Sequence, residues 1–222
     1  MKQELIVTGD GSKTIYLPEL DEHYHSAHGA LQEAQHVFIK HGLTTQAGDY
    51  VTILEMGFGT GLNALLTYFA TEKRHQYIHY IGIESLPIAQ EIWEQMEYTA
   101  HSNDPDAPTV YSNMHTAKWD EPVALNELFV LEKRKSTLEN TKLAAASIDL
   151  IYYDAFGPRV QPELWTLAIF EQLFHWLTPG GVLVTYCAKG QVKRDLKAAG
   201  FVVETLAGPP GKREMTRAKK PF

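Results

Sequence analysis

Nine residues constrain this chain most: Glu55-Met56-Gly57-Phe58-Gly59-Thr60-Gly61-Leu62-Asn63. Ahead of them, Val51-Thr52-Ile53-Leu54 is a β-branched run. Behind them, Leu62, Leu65, Leu66 and Phe69 recur at helical spacing. Glycines at a strand-to-helix junction permit a tight turn and let a ligand lie against bare backbone, with the free N–H groups of the helix start nearby. The spacing excludes two common phosphate-binding loops. A dinucleotide fingerprint wants its third glycine where this chain has Leu62, and no Lys-Ser or Lys-Thr follows to make a P-loop.

Strands and helices alternate along the rest of the chain. Ile78–Ile83 reads as a second strand, and Pro87 opens a helix predicted to run to about Tyr98. Ile148–Tyr153 is an apolar strand, Glu163–Leu177 a helix anchored in the core by Phe170, Phe174 and Trp176, and Val182–Tyr186 another strand. A strand is placed near Leu128–Leu131, and two more, at Phe201–Glu204 and around Met215, at one sheet edge. His101–Pro108 and Glu132–Ser147 read as loops. Strands bounded by helices at this spacing imply βαβ units and a parallel sheet covered on both faces. An extension comes first. Leu5–Thr8 and Thr14–Leu17 form a hairpin around Gly9-Asp10-Gly11-Ser12, and a helix with the apolar face Ala30, Leu31, Ala34, Val37 and Phe38 ends at Gly42. Residues 1–48 are thus read as an extension packing on a core of residues 49–222, together one structural domain.

Composition narrows the class. A chain of 222 residues, 44 % of them hydrophobic, can bury a core without staples. Its one cysteine, Cys187, excludes an internal disulfide. Residues 1–10 lack a signal-peptide core, and no uncharged run reaches the roughly 18 residues of a membrane span, so the expected location is cytoplasmic and no membrane partner is expected. Five of ten histidines lie between His23 and His41, but without supporting ligands, and no metal is expected. The net charge of −7 is unevenly spread: residues 189–222 carry nine Lys or Arg and three Asp or Glu, so that end is +6 and the remainder −13. A basic end on an acidic body suggests a polyanionic partner.

A G-x-G-x-G turn with an acidic residue before it resembles motif I of the class I S-adenosylmethionine methyltransferases. The resemblance implies a Rossmann-like fold with a mostly parallel seven-stranded sheet and helices on both faces. It also implies S-adenosyl-L-methionine as cofactor, held by Glu55, Gly57, Gly59, Thr60, Gly61 and Asn63. Glu84, ending Tyr80-Ile81-Gly82-Ile83-Glu84, stands where that family takes the ribose hydroxyls. A carboxylate there accepts hydrogen bonds from two vicinal hydroxyls and complements a sulfonium.

A second site lies at Asp154-Ala155-Phe156-Gly157-Pro158, directly after an apolar strand, where ligands of doubly wound sheets sit. With Gln161-Pro162-Glu163-Leu164-Trp165-Thr166 it resembles the D-A-F-x-P…N/Q-P-E-x-W-T signature of the MnmC/MnmD-type tRNA methyltransferases. Tyr24-His25-Ser26 with Gly29, Gln32 and Glu33, then Pro179-Gly180-Gly181 with Thr185-Tyr186, and Gly211-Lys212-Arg213-Glu214-Met215 match that family's other motifs in order. The resemblance implies methylation of the amine of 5-aminomethyl-2-thiouridine at the tRNA wobble position. It also implies the single-domain form without the flavin-dependent oxidase, dependent on a separate enzyme for its aminomethyl tRNA.

In this reading Asp154 is catalytic: it orients the amine and accepts its proton. Tyr24 and His25 cover the cofactor. Phe156, Pro158 and Trp165 meet the flipped uridine, and Lys212 and Arg213 touch phosphates of the anticodon loop. The family's Gly-Asp pair after the third strand is missing, which leaves the adenine contact unassigned, with Glu132 no more than a guess. Two rivals were weighed: a spermidine-synthase-like aminopropyl transferase, which would want a further acidic pair where Arg159-Val160 stands, and a non-catalytic RNA-binding protein, which would not need Glu55, Glu84 and Asp154 together.

Overall fold

A computed structural model describes residues 2–222. The sheet that organises it starts from the run around Ile53. Strand β4 (Tyr50–Met56) is buried on both faces at its centre and pairs in parallel with β5 (Tyr77–Ile83) on one side and β8 (Ile148–Tyr153) on the other. The chain moves outward in both directions from this pair. β5 is followed by β7 (Phe129–Arg134) and β6 (Pro122–Ala124); β8 is followed by β9 (Leu177–Thr185), β11 (Glu214–Lys219) and β10 (Val202–Ala207). β10 and β11 are the two strands expected at one edge, and the structure pairs them antiparallel. Strand order therefore reverses between β4 and β8, and the carboxyl ends of these strands, at Met56 and Tyr153, flank the crevice where such sheets bind ligands.

The sheet has eight strands rather than seven. The additional one, β6, is three residues long and lies antiparallel on β7, an edge position that Pro122 tolerates because its missing N–H faces no neighbour.

Helix α2 (Leu62–Arg74) buries Leu62, Ala64, Leu65 and Tyr68 against the sheet. The helix predicted from Pro87 to Tyr98 is only one turn, α3 (Gln90–Trp93): Ala89 before it is extended, and Glu97 after it adopts a left-handed φ of 55°. Ala107–Thr116 is helix α4, which begins inside a stretch read as loop, with Pro108 in its first turn, where a missing N–H does no harm. The helix expected over Glu163–Leu177 divides. Pro162–Trp165 is a 3₁₀ turn, Thr166 is extended and caps the next element through its side chain, and α5 (Leu167–Trp176) follows. A further helix, α6 (Gly190–Ala198), precedes β10.

The first residues form a small sheet of their own, β1 (Glu4–Val7), β2 (Lys13–Leu17) and β3 (Glu22–His23). Helix α1 (Ala30–Ala34) continues as a π-helical segment over Gln35–Lys40. Ile15, Leu17, Ala30, Val37 and Phe38 lie in the same buried cluster as Ile53 and Leu150 of the large sheet, so this segment shares the central core.

Candidate active site

The backbone after β4 turns sharply. Gly57 and Phe58 donate their N–H groups to the Ile83 carbonyl at 3.0 and 3.1 Å, and Asp154 N–H reaches the Met56 carbonyl at 3.2 Å, so three strand ends are laced together. Gly57 sits at φ 88°, where a side chain is strained, and a Cβ there would lie 3.3 Å from the Asp154 carbonyl. Glu84 extends the lacing: its Oε2 accepts the Gly59 N–H at 3.0 Å and its Oε1 the Leu86 N–H at 2.9 Å. Burial raises the Glu84 pKa, and these backbone donors oppose the rise.

Over this turn lies a cleft of about 520 Å³. Gly57, Gly59 and Glu84 form its floor; Tyr24 and His25 close it from the first segment, and Asp154 and Phe156 stand at its far end. The Tyr24 ring meets Phe156 edge-on, with centroids 5.2 Å apart, and burial pushes its hydroxyl up to about 12.

Behind the cleft is a buried polar cluster. The Asn63 side-chain amide donates to Glu55 Oε1 and to Asp154 Oδ2, each at 2.8 Å. Glu55 is 1 % exposed, and among the described residues Glu55 Oε2, Asn63 Oδ1 and the Tyr80 hydroxyl have no hydrogen-bond partner. Burial, opposed by Asn63 and Tyr80, drives Glu55 well above the usual carboxylate range. Asp154 is also raised well above its ordinary value, by burial first and by the nearby Glu33 second, with Asn63 and Lys212 opposing. A carboxyl group of raised proton affinity takes up and holds a proton more readily than an exposed one.

A model of the S-adenosyl-L-methionine-dependent methyltransferases matches residues 94–221, more than half of the chain. The chain belongs to that family. Among curated relatives, the tRNA 5-methylaminomethyl-2-thiouridine biosynthesis bifunctional protein MnmC of Cupriavidus metallidurans is 33 % identical over 97 % of this chain. The chain spans about a third of the length of that relative, 34 %. Two solved structures share the fold of this methyltransferase. MnmC2 of Aquifex aeolicus superposes with a TM-score of 0.77 over 100 % of this chain and 72 % of its own, at 23 % identity. Spermidine synthase of Thermotoga maritima gives 0.58 over 98 % and 69 %, at 13 % identity.

The cleft fits the cofactor that the family uses. A Cβ at Gly57 would crowd the Asp154 backbone, and the Glu84 carboxylate, with two backbone donors seated, keeps lone pairs for further donors.

Some of the residues named from sequence stand elsewhere. Thr60 is 1 % exposed and faces away from the cleft, because its side chain is engaged: Tyr98 donates to Thr60 Oγ1 at 3.1 Å, and His25 Nε2 lies 2.9 Å from the same oxygen. Its carbonyl accepts from Tyr111 and His115. Gly61 caps α2 against Phe58 and His115, and Asn63 holds the two carboxylates; both serve the turn from behind. Trp165 is 5 % exposed and stacks edge-on with Tyr153, so its role is to hold the loop: its Nε1–H donates to the Phe156 carbonyl at 2.7 Å. Glu132 pairs with His79 and Arg134 on β7 and does not line the cleft. The acidic strand end meets this segment through its backbone: the Glu84 N–H donates to the Arg134 carbonyl at 3.0 Å, and the Ser136 N–H donates to the Glu84 carbonyl at 3.1 Å. Gln161, not among the residues expected at the site although it lies in the Gln161–Thr166 motif, lines the cleft and accepts the Phe156 N–H at 3.1 Å.

The basic end is less available than its charge implied. Arg217 and Lys219 pair with Glu204, Lys193 with Glu214, and Lys220 donates to the carbonyls of Phe174 and Leu177. Lys212 is ion-paired with Glu33 and placed 4.2 Å from the centre of the Tyr186 ring. Arg213 is 91 % exposed. With Lys189, Lys212, Arg159 and Pro158 it borders a second cleft of about 530 Å³ beside the Asp154 loop. Among the described residues no helix is long and apolar enough to cross a membrane, and no group of three or more His, Cys, Asp or Glu could hold a metal ion.

Proposed function

We propose that this methyltransferase N-methylates 5-aminomethyl-2-thiouridine at the wobble position of tRNA, giving 5-methylaminomethyl-2-thiouridine, and that it does so in the cytoplasm. The observation that carries the reading is Asp154: a carboxylate of raised proton affinity at the strand-order reversal, aligned by Asn63 and adjoining both the glycine turn and a cleft with cationic borders. The named biosynthetic process of the curated relative supports the substrate.

S-adenosyl-L-methionine, when bound, supplies an electrophilic methyl group on its sulfonium. Gly57, Gly59 and Glu84 hold the cofactor, with Tyr24 covering it. Asp154 receives the substrate amine, orients its lone pair and takes its proton; in-line displacement otherwise asks the protein chiefly for alignment. Phe156 offers its ring to the uracil base, and Lys189 and Arg213 meet backbone phosphates around it. The aminomethyl group is made by a different chemistry, removal of a carboxymethyl group, which we assign to a separate active site.

Aminopropyl transfer is the weaker reading. Arg159 stands where an acid would hold a polyamine, and its guanidinium is bound to the Leu20 and Asp21 carbonyls and to Glu22. The deciding experiment incubates the protein with methyl-labelled cofactor and tRNA bearing 5-aminomethyl-2-thiouridine, then identifies the labelled nucleoside. Label in 5-methylaminomethyl-2-thiouridine supports the proposal, and label absent from that nucleoside overturns it.

A further inference from the structure

Lys212 belongs to the motif nearest the chain's basic end and borders the second cleft with its side chain 31 % exposed, yet its ammonium is engaged by the protein's own groups. It meets Glu33, which is 5 % exposed and also accepts the Ser26 N–H at 3.3 Å, and it lies over the ring of Tyr186. The Tyr186 hydroxyl in turn donates to the Ala155 carbonyl at 2.9 Å, one residue from Asp154. Helix α1, the loop before β11 and the end of β9 thus converge on the carboxyl end of β8.

The groups facing Asp154 are Glu33 from α1, Glu55 from β4, Asn63 from α2, Tyr80 from β5, Tyr98 beyond α3, Tyr186 after β9, and Lys212. Lys212 is the sole cation among them. A buried carboxylate without a partner is unstable to desolvation, and two close together repel, so Glu33 beside Asp154 requires a counter-charge.

We infer that Lys212 is the internal counter-ion of the catalytic pocket: it neutralises Glu33 and thereby leaves Asp154 as the carboxylate that meets the substrate amine. Lys212 is a positioning residue in this scheme and makes no contact with RNA. With Glu33 paired by Lys212, Asp154 is the carboxylate left at the end of β8 to meet an alkylammonium entering from solvent. The amine accordingly arrives as its cation, Asp154 takes one N–H proton, and the freed lone pair attacks the methyl carbon. The inference rests on the proposed amine chemistry, but its electrostatic core needs no tRNA to test.

The test is the titration of the Asp154 carboxyl, followed by ¹³C NMR in the full chain and assigned with Asp154→Asn. Lys212→Met removes a neighbouring cation and raises the Asp154 midpoint by about one pH unit, a roughly tenfold gain in proton affinity. Glu33→Gln removes a neighbouring anion and lowers the midpoint. The double variant, which leaves no unpaired charge and so keeps the test open if Lys212→Met fails to fold, returns the midpoint toward wild type. Equal midpoints in all of these proteins overturn the inference. In parallel, Lys212→Met leaves tRNA affinity within about twofold and its salt dependence unchanged. A flattened salt dependence makes Lys212 an RNA contact and also overturns it. Failure to methylate tRNA with an unchanged NMR outcome would count against the substrate assignment alone.

Discussion

Asn63 and Asp154 come from elements 91 residues apart and meet at 2.8 Å, while the same amide holds Glu55 at an equal distance. One side chain thus fixes the spacing between a carboxylate in the wall of the cleft and one behind it. Asn63→Ala removes both hydrogen bonds and leaves a buried carboxyl without its donor, a loss of about 1–3 kcal/mol. Thermal unfolding should show it as a lower midpoint. Turnover should fall more than cofactor affinity, because Asp154 loses its alignment.

Asp154→Asn keeps the shape of the site and the contact with Asn63 but removes the proton acceptor. Turnover should drop about 10²–10⁴-fold, the range of general-base contributions, with cofactor affinity nearly intact by calorimetry. A variant of undiminished turnover would remove Asp154 from the chemistry.

Gly57→Ala places a methyl group 3.3 Å from the Asp154 carbonyl at a φ of 88°. Left-handed backbone with a side chain costs about 1–2 kcal/mol, and here the strain falls on the floor of the cleft. Cofactor binding should weaken by about five- to thirtyfold, the same free energy expressed as affinity.

Two buried histidines make stability pH-dependent. Burial lowers His25 to about 4, aided by Lys212, and lowers His115 to about 4 as well, aided by Lys133 and opposed by the Thr60 carbonyl. Their folded pKa values lie below the unfolded 6.5, so the unfolded chain binds more protons between the two. Their stabilisation is complete above pH 6.5 and is lost as pH falls toward 4. Chemical denaturation at several pH values should show the slope, and His115→Gln should reduce it.

Arg213→Glu should weaken tRNA binding and lower the slope of log affinity against log salt by about one, as expected for one phosphate contact. An unchanged slope at low salt would make this edge a bystander.

Much of the frame was legible because periodicity survives packing. Ile148–Tyr153 was read from its apolar run and is β8, and the hairpin flanking Gly9-Asp10-Gly11-Ser12 is β1 and β2. Helix α4 was not legible: Pro108, Thr109 and Val110 weaken helix propensity, and the helix is held by Tyr111 and His115 docking on the Thr60 carbonyl, a contact invisible along the chain. The motifs singled out Gly57, Glu84 and Asp154, which line one cleft, but not the direction each neighbouring side chain takes. Thr60 and Trp165 lie in the same short segments as the cleft residues and turn the other way, and Lys212, beside exposed Arg213, is held by Glu33. Net charge misled similarly, since a count of lysines takes no account of Glu33, Glu204 and Glu214 beside them.

Thr60 is gripped by His25 from the first segment, Tyr98 from the 3₁₀ turn after α3, and Tyr111 and His115 from α4. A glycine-rich turn would ordinarily be the loosest stretch of a cofactor site and would lose entropy on closing around its ligand. Here that ordering is done during folding, by tethers from three distant stretches of chain, and the turn is pre-organised for binding. The amides of Gly57 to Gly61 should therefore exchange slowly with solvent even without cofactor. Loosening the tether from Tyr98, Tyr111 or His115 should then speed cofactor release without changing a residue that lines the cleft.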